Sequence, residues 1–270
     1  MRLVRSVVLA VLALVMAVVV VGAAAGGCGA PTPGSWRAVR AAKKLVVGTS
    51  ADYPPFEYLD EKGQVAGFDI DLVRAVGAKL GVEVEIRDIS FDSLLAALEQ
   101  GKVDIVIAYI SPNAKRQEKV DFTLPYYESQ QAILVGKAST FRPARPEDLA
   151  GHTIGLQTGS VQDDWVREQL LKTGKATEKQ VVRYPLIDQA FDDLAKNKVE
   201  TVFADLPVAK AYAKKLGLTI ALVCQVTTEK PAIAVRKGSR DLRERLDKAV
   251  ADLKKDGTLD TLVDKYLSGQ

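Results

Sequence analysis

Residues 69–86 read DIDLVRAVGAKLGVEVEI and predict a helix, a turn and a strand in immediate succession. Between residues 69 and 80 the apolar side chains recur at helical spacing and form one stripe, made of Ile70, Leu72, Val73, Val76 and Leu80. Gly81 is expected to end this helix, because glycine readily takes the left-handed conformation that closes helices. Val82–Ile86 then alternates apolar and polar residues, which indicates a strand.

The same alternation of helix and strand extends to both sides of this stretch. Leu45–Gly48 precedes it as an apolar strand. A helix through Leu94–Leu98 follows it, with Ser90 or Asp92 as candidate caps, and Val103–Ala108 reads as a buried strand. This β-α-β-α-β order predicts a mostly parallel sheet with helices on its faces.

The pattern restarts after Lys137 and predicts a second α/β unit. The predicted strands are Thr153–Leu156, Val181–Tyr184 and Val199–Ala204, and the end of the chain returns to a strand at Ala232–Val235. The predicted helices are Val161–Leu171, Asp188–Asn197, Leu206–Leu216, Asp241–Lys255 and Thr258–Leu267. The chain therefore contains two α/β units of roughly 100 residues each, which is an ordinary domain size.

Composition excludes several classes of function. The 270 residues include 37 Lys and Arg against 34 Asp and Glu, a formal charge of only +3, and the basic residues are spread along the chain. Nucleic acid is therefore not expected as a partner. One His and two Cys are too few for most zinc, haem or iron–sulfur ligand sets, so we expect neither a metal nor a cofactor. Cys224 lies in an apolar stretch and is predicted to be a buried free thiol.

Residues 1–27 differ from the rest and predict an export signal. Arg2 and Arg5 form a cationic head, and a long uncharged run rich in Val, Ala and Leu follows. Small residues then lead to Cys28, a layout that resembles a bacterial lipoprotein signal in which this cysteine carries the lipid. A plain cleaved signal and a retained membrane anchor are the alternatives, and all three export the remaining chain. Residues 28–42 are predicted to be a flexible tether.

Three blocks of sequence resemble one protein family. They are GTSADYPPFE at residues 48–57, GFDIDL at 67–72, and RQEKVDF at 116–122 with PYY at 125–127. At this spacing they resemble the polar amino-acid-binding proteins of ABC importers, which are extracellular solute-binding proteins of family 3. The resemblance covers about residues 43–270.

The resemblance implies a two-lobed, periplasmic-binding-protein-like α/β fold in which the chain crosses twice between lobes. The first lobe would contain residues 43–131 and 228–270, and the second residues 132–227. The crossings are expected near Gln130–Leu134 and Cys224–Thr227. Closure of the lobes about such hinges would trap ligand between them.

The resemblance also implies a function without catalysis. The protein would be a monomeric, extracytoplasmic receptor that binds a polar L-amino acid and delivers it to an ABC permease. Arginine, lysine or a glutamine-like ligand is expected. The alternative is an enzyme similar to cyclohexadienyl dehydratases, which share this fold.

A zwitterionic ligand needs a fixed cation and a fixed anion. Arg116 matches the family's arginine for the α-carboxylate, a role that suits the guanidinium fork. Ser111 would assist it. Asp205 matches the acid for the α-ammonium, although from sequence alone it could instead cap the helix that follows. Ser160 and Val161 open a helix of the second lobe, where backbone N–H groups of the Gly159-Ser160 loop would meet the carboxylate.

Aromatic residues are expected to hold the ligand side chain. Tyr53 and Phe91 match the two walls that sandwich it in the family. Ser50 stands where an acid is common and Tyr109 where glycine is common, so both are candidate specificity positions. The acids Asp52 and Glu57 favour a cationic or polar ligand if they face the site, but they could equally face solvent.

Overall fold

The computed structural model describes residues 33–228 and 230–268, and every element below belongs to that part of the chain. The predicted signal at residues 1–27 and the predicted lipidation site Cys28 lie outside the described residues.

The first lobe is built on a five-stranded sheet. Its strands are β1 (Lys44–Thr49), β5 (Glu83–Asp88), β6 (Ile105–Val106), β7 (Val120–Pro125) and β13 (Ala232–Arg236). They lie in the order β5-β1-β6-β13-β7. β1 pairs in parallel with β5 and β6, whereas β13 runs antiparallel to β6 and β7. The predicted β-α-β-α-β unit is thus the parallel half of a mixed sheet.

The second lobe repeats this topology with its own strands. They are β8 (Gln131–Val135), β9 (Ile154–Gln157), β10 (Val181–Tyr184), β11 (Thr201–Asp205) and β12 (Thr219–Cys224). The order is β10-β9-β11-β8-β12, with β9 parallel to β10 and β11 and with β8 antiparallel to β11 and β12. The predicted two-lobed α/β fold is therefore confirmed.

Helices cover the sheets. They are α1 (Trp36–Ala42), α2 (Phe68–Leu80), α3 (Leu94–Glu99), α4 (Ala114–Lys119), α5 (Val161–Val166), α6 (Ile187–Ala195), α7 (Leu206–Leu216), α8 (Arg240–Lys255) and α9 (Thr258–Tyr266). α2 packs with α8 and α9 on the first lobe, while α6 and α7 pack on the second sheet. The predicted helix at residues 161–171 continues beyond α5 as a π-helical segment, Arg167–Leu171.

The two crossings lie outside the sheets. The first connects β7 to β8 and so occupies residues 126–130, whereas the predicted position ran to Leu134. That prediction was wrong because Gln131–Val135 is a buried central strand of the second sheet, paired on both sides. The second crossing connects β12 to β13, after Cys224. The thiol of Cys224 is free and half-buried.

Part of the predicted tether is folded. Ser35 caps α1 by accepting a hydrogen bond from the Ala38 N–H, and the Trp36 N–H donates to Asp241 on α8 at 3.1 Å. The guanidinium of Arg245 lies 4.7 Å from the centre of the Trp36 ring. The interpretation as a flexible tether was therefore wrong for residues 36–42, since Trp36 and Val39 bury one face of a short capped helix.

A small hairpin sheet of the first lobe was absent from the sequence prediction. Its strands are β2 (Asp52–Tyr53), β3 (Glu57–Leu59) and β4 (Val65–Ala66). The N–H groups of Phe68 and Asp69 at the start of α2 donate to carbonyls of Pro55 and Phe56. Gly67 permits this contact, because a Cβ there would lie 2.2 Å from the Phe56 carbonyl oxygen and its φ is +127°.

We expect Trp36→Ala to lower the free energy of unfolding by about 1–2 kcal/mol, because it removes the ring that packs on α8 and holds the Arg245 guanidinium. Urea unfolding followed by circular dichroism measures this. Arg37→Ala, on the exposed face of the same helix, is the matched control and should leave stability within about 0.5 kcal/mol. Equal stabilities of the two variants would show that α1 does not contribute to the fold.

Candidate functional site

The candidate site is a cavity between the two lobes, with about 300 Å³ of space between atoms when its opening to solvent is included. The first lobe contributes Tyr53, Phe91, Ala108, Tyr109, Ser111 and Arg116, and the second contributes Gln157, Ser160, Val161, Gln162 and Asp205. Eight of the nine residues predicted as ligand-binding line this cavity, and Ser50 is the exception.

Arg116 is a buried cation at the cavity wall. Asn113 caps α4 by accepting from the Arg116 N–H at 2.9 Å, which fixes the first turn of this short helix. The side chain donates from Nη1 to the Ser111 carbonyl and from Nη2 to the Gly159 carbonyl of the other lobe, the latter at 2.9 Å. The residue is 8% exposed, and burial lowers the pKa of its guanidinium to about 10, so it stays protonated at neutral pH.

Asp205 is a buried anion contributed by the second lobe. It ends β11, and its side chain accepts from the Tyr53 hydroxyl at 2.6 Å and from the Gln131 amide at 3.1 Å. Among the described residues its carboxylate makes no capping bond to α7, so the alternative role of a cap is not the one observed. Burial raises the pKa of this carboxyl group, and the hydrogen bonds from Tyr53 and Gln131 oppose the increase.

The polar groups of the loop before α5 form hydrogen bonds within the loop and with the first turn of that helix. The Ser160 hydroxyl caps α5 by accepting from the Asp163 N–H, and the Ser160 N–H donates to the Gln157 carbonyl. The Gly159 N–H donates to the Asp163 carboxylate. Both N–H groups therefore have acceptors within the loop, and their contact with a ligand carboxylate stays a prediction.

Aromatic residues form the wall of the first lobe. Tyr109 stacks on Phe56 with ring centres 3.9 Å apart, and its ring centre lies 6.2 Å from that of Tyr53. Tyr109 has a φ of +44°, a region that non-glycine residues rarely occupy. Phe91 lies beneath the Arg116 guanidinium, whose carbon is 5.5 Å from the ring centre.

A buried pair of acids supports this wall from behind. Asp69 accepts from the Tyr109 N–H and from the Tyr126 hydroxyl, both at 2.8 Å. Its carboxyl group interacts with that of Glu57, both residues are fully buried, and neither Glu57 oxygen has a hydrogen-bond donor among the described residues. Burial raises the pKa of Glu57 well above its usual value and that of Asp69 to about 6. The pair therefore holds a proton at neutral pH, which allows Glu57 to donate to Asp69.

Ser50 and Asp52 lie beside the cavity and do not line it. The Ser50 hydroxyl donates to Asp52 at 2.9 Å, which explains why Ser50 misses the predicted ligand-facing position. Asp52 in turn accepts from the Gln157 amide at 3.0 Å and from the Ile187 N–H at 2.5 Å. Both Asp52 and Glu57 are buried, so the possibility that they face solvent was wrong.

Sequence reasoning missed the two glutamines of the cavity. Gln157 lines it at the end of β9, and its Nε2 donates to Asp52. Gln162 lines it from the first turn of α5, and its buried side chain lowers the pKa of Asp205. Both residues flank the Thr-Gly-Ser loop that the sequence singled out, so proximity to that loop was the available signal.

Two absences concern only the part of the chain that the structure describes. In it, no group of three or more His, Cys, Asp or Glu side chains is arranged to hold a metal ion. No helix in those same ranges has the length and apolar character needed to cross a membrane.

Comparison with known proteins identifies similar chains. The sequence profile of the bacterial extracellular solute-binding proteins, family 3, matches residues 45–269. The arginine-binding extracellular protein ArtP of Bacillus subtilis (strain 168) is 32% identical over 246 residues, which cover 90% of this chain and 92% of that protein.

Two solved structures are also similar to this chain. An ancestral arginine-binding protein bound to arginine is similar with a TM-score of 0.77 and 38% identity, covering 83% of this chain and 98% of that one. An ancestral arginine-binding protein bound to glutamine has a TM-score of 0.75 and 38% identity, with 84% and 98% covered.

We expect Glu57→Gln to reduce the loss of stability that accompanies rising pH. The raised pKa means that the folded protein holds this proton more tightly than the unfolded chain, so its contribution is complete at acid pH and is lost as the pH rises through the folded-state pKa. Glutamine supplies the same donor to Asp69 without a titrating proton. Urea unfolding at pH 5 and pH 8 should show a smaller decrease for the variant than for the wild type.

Glu61→Gln, at an exposed position, is the matched control and should follow the wild type at both pH values. If Glu57→Gln also loses stability in parallel with the wild type, the acid pair does not hold a proton.

Proposed function

The chain belongs to the bacterial extracellular solute-binding proteins of family 3, and from this membership we propose that it is the extracytoplasmic receptor that delivers L-arginine to an ABC importer. The similar proteins are named or described as arginine-binding, and they cover most of this chain. One observation carries the proposal: a buried cation, Arg116, and a buried anion, Asp205, reach one cavity from opposite lobes.

These two charges fit the part that all α-amino acids share. A guanidinium binds a carboxylate with two parallel hydrogen bonds, and Arg116 keeps its charge in the cavity. Asp205 accepts an ammonium while Tyr53 and Gln131 hold its orientation. Charge-assisted hydrogen bonds in a site that excludes water are stronger than those between neutral groups, so the pair favours a zwitterion over a singly charged ligand.

The remaining lining favours a long side chain that donates hydrogen bonds. Tyr53 and Phe91 offer flat surfaces on which a guanidinium can stack. One N–H of the Gln157 Nε2 group donates to Asp52, which orients the amide and leaves its carbonyl oxygen as an acceptor for a ligand. Arginine carries five such donors and glutamine two, which supports arginine as the preferred ligand and glutamine as a weaker one.

Binding without catalysis is part of the proposal. The similar proteins named above are binding proteins, and both oxygens of Asp205 already accept hydrogen bonds from the protein. Asp205 therefore serves better as the ammonium acceptor than as the general acid of a dehydratase.

We further propose that Cys28 becomes the lipid-bearing first residue of the mature protein and tethers it to the cell membrane. The charged start, the apolar run and the small residues before Cys28 support this. Mass spectrometry of the protein purified from membranes should give an N-terminus at Cys28 with added acyl mass. An unmodified N-terminus elsewhere would contradict lipidation, and Cys28→Ser, which cannot be acylated there, should release the protein from the membrane.

We expect Arg116→Ala to weaken L-arginine binding by about 100-fold or more, because it leaves the ligand carboxylate without its buried partner. Isothermal titration of the folded chain with L-arginine, and a thermal-shift panel of the twenty amino acids, measure this. Arg142→Ala, which removes an exposed arginine of the second lobe, is the control and should bind as the wild type does.

Two outcomes would contradict the proposed function. One is a panel in which no amino acid raises the melting temperature, and the other is turnover of prephenate or arogenate by the wild type. Unchanged affinity of Arg116→Ala would contradict the role of Arg116 alone.

A further inference from the structure

Asp52 joins the two lobes without lining the ligand cavity. It belongs to β2 of the first lobe, and its Oδ2 atom accepts from two groups of the second lobe, the Ile187 N–H at 2.5 Å and the Gln157 Nε2 at 3.0 Å. Its own backbone carbonyl accepts from the Tyr212 hydroxyl of α7 at 3.3 Å. Asp52 is 6% exposed, so these contacts are made in a site that is largely closed to water.

The bond to Ile187 has the form of a helix cap supplied by the other lobe. Ile187 is the first residue of α6, and the residue at the cap position, Leu186, has no side-chain oxygen to offer. A carboxylate at a helix N-terminus is favoured by the unsatisfied N–H groups and by the helix dipole. Here that carboxylate reaches α6 only when the lobes are together, because it is fixed to the hairpin of the first lobe.

We propose that Asp52 is a closure residue, whose carboxyl group caps α6 across the cleft and thereby sets how readily the lobes close on ligand without touching the ligand itself. The inference rests on the proposed function, since it concerns closure around the same cavity. Gln157 provides the link to that cavity, because the amide that lines it is oriented by Asp52.

The charge of Asp52 opposes the closure that its hydrogen bonds favour. Burial raises the pKa of Asp52 to about 6, and the raising effect of burial exceeds the lowering effect of the bonds from Ile187 and Ser50. When the lobes separate, an exposed aspartate titrates near its ordinary value of about 3.9. The closed form therefore binds a proton more tightly than the open form, so acid pH favours closure at this residue.

Other titratable groups face Asp52 and bear on this pH response. Asp188 on α6 raises the pKa of Asp52, and Glu57 on β3 interacts with it through space. Tyr212 and Lys215, both on α7, line the same groove as Asp52. Since all of these remain in a variant of Asp52, comparison of that variant with the wild type isolates the contribution of Asp52.

Asparagine at position 52 can keep every contact and lose only the charge. Both second-lobe donors meet the same oxygen, Oδ2, whereas the Ser50 hydroxyl meets Oδ1 at 2.9 Å. An amide with its oxygen in the place of Oδ2 accepts from both donors, and its NH₂ group donates to Ser50, whose hydroxyl also accepts. Alanine, in contrast, leaves the Ile187 N–H and the Gln157 amide without an acceptor.

The test is L-arginine affinity at pH 5 and pH 7.5 for the wild type, Asp52→Asn and Asp52→Ala, with association and dissociation rates from stopped-flow fluorescence. The pKa of Asp52 rises from about 3.9 in the open form to about 6 in the closed form. This difference makes wild-type binding about tenfold tighter at pH 5 than at pH 7.5, once the pH response of Asp52→Asn is subtracted. At pH 7.5 we expect Asp52→Asn to bind at least as tightly as the wild type and Asp52→Ala to dissociate about tenfold faster, with little change in association rate.

The matched control is Asp60→Asn. Asp60 follows β3 in the same hairpin and accepts backbone N–H bonds from Lys62 and Gln64, both within the first lobe. It should follow the wild type in affinity and in pH response, and circular dichroism checks that every variant is folded.

The outcomes separate this inference from the proposed function. A wild type that binds no L-arginine at either pH contradicts the proposed ligand. A wild type that binds, with a pH response equal to that of Asp52→Asn or with Asp52→Ala dissociating no faster, overturns the closure role of Asp52. If one of the two variants does not fold, the comparison of the wild type with the other decides, because each comparison alone can overturn the inference.

Discussion

Buried charge at the contact between the lobes is the constraint on which the rest of this structure depends. Arg116, Asp205 and Asp52 are all buried, and each has a hydrogen-bond partner in the opposite lobe. Burying a charge is unfavourable by several kcal/mol unless hydrogen bonds replace the lost water. Since those bonds cross the cleft, the site forms only when the two lobes come into contact. Exposed pairs across the same cleft, such as Lys115 with Asp164, contribute less because water screens them.

The wall of the first lobe depends on a second buried group of charges. Tyr109 is held at a positive φ that is unfavourable for a side chain of its size, and the Asp69 carboxylate accepts its N–H. Asp69 can remain in that place because Glu57 shares a proton with it and so removes one of two adjacent charges. The GFDIDL block therefore has a physical explanation: its first aspartate fixes the backbone of a residue that lines the cavity.

Periodicity and motif resemblance together predicted the fold and most of the cavity, but not the contacts between distant residues. Val181–Tyr184 and Leu206–Leu216 have the predicted bounds, because apolar spacing is a local property of each segment. Ser50 was misplaced because its direction depends on Asp52, which is itself held by the other lobe. β8 was assigned to a hinge because a short apolar run does not reveal its pairing partners, and α1 was missed because its stabilising contact, Arg245, is about 200 residues away.

The site combines rigid support with unused hydrogen-bonding capacity. A carboxylate has about four acceptor positions and a guanidinium five donors. Asp205 accepts from two side chains and Arg116 donates to two carbonyls, so both are fixed by the protein and retain capacity for a ligand. Groups that are already oriented lose little entropy on binding, which strengthens recognition of the α-carboxylate and α-ammonium. In the proposed complex the ligand side chain meets a neutral acceptor and flat rings, which contribute smaller free energies. Recognition of the zwitterion should therefore exceed discrimination among side chains.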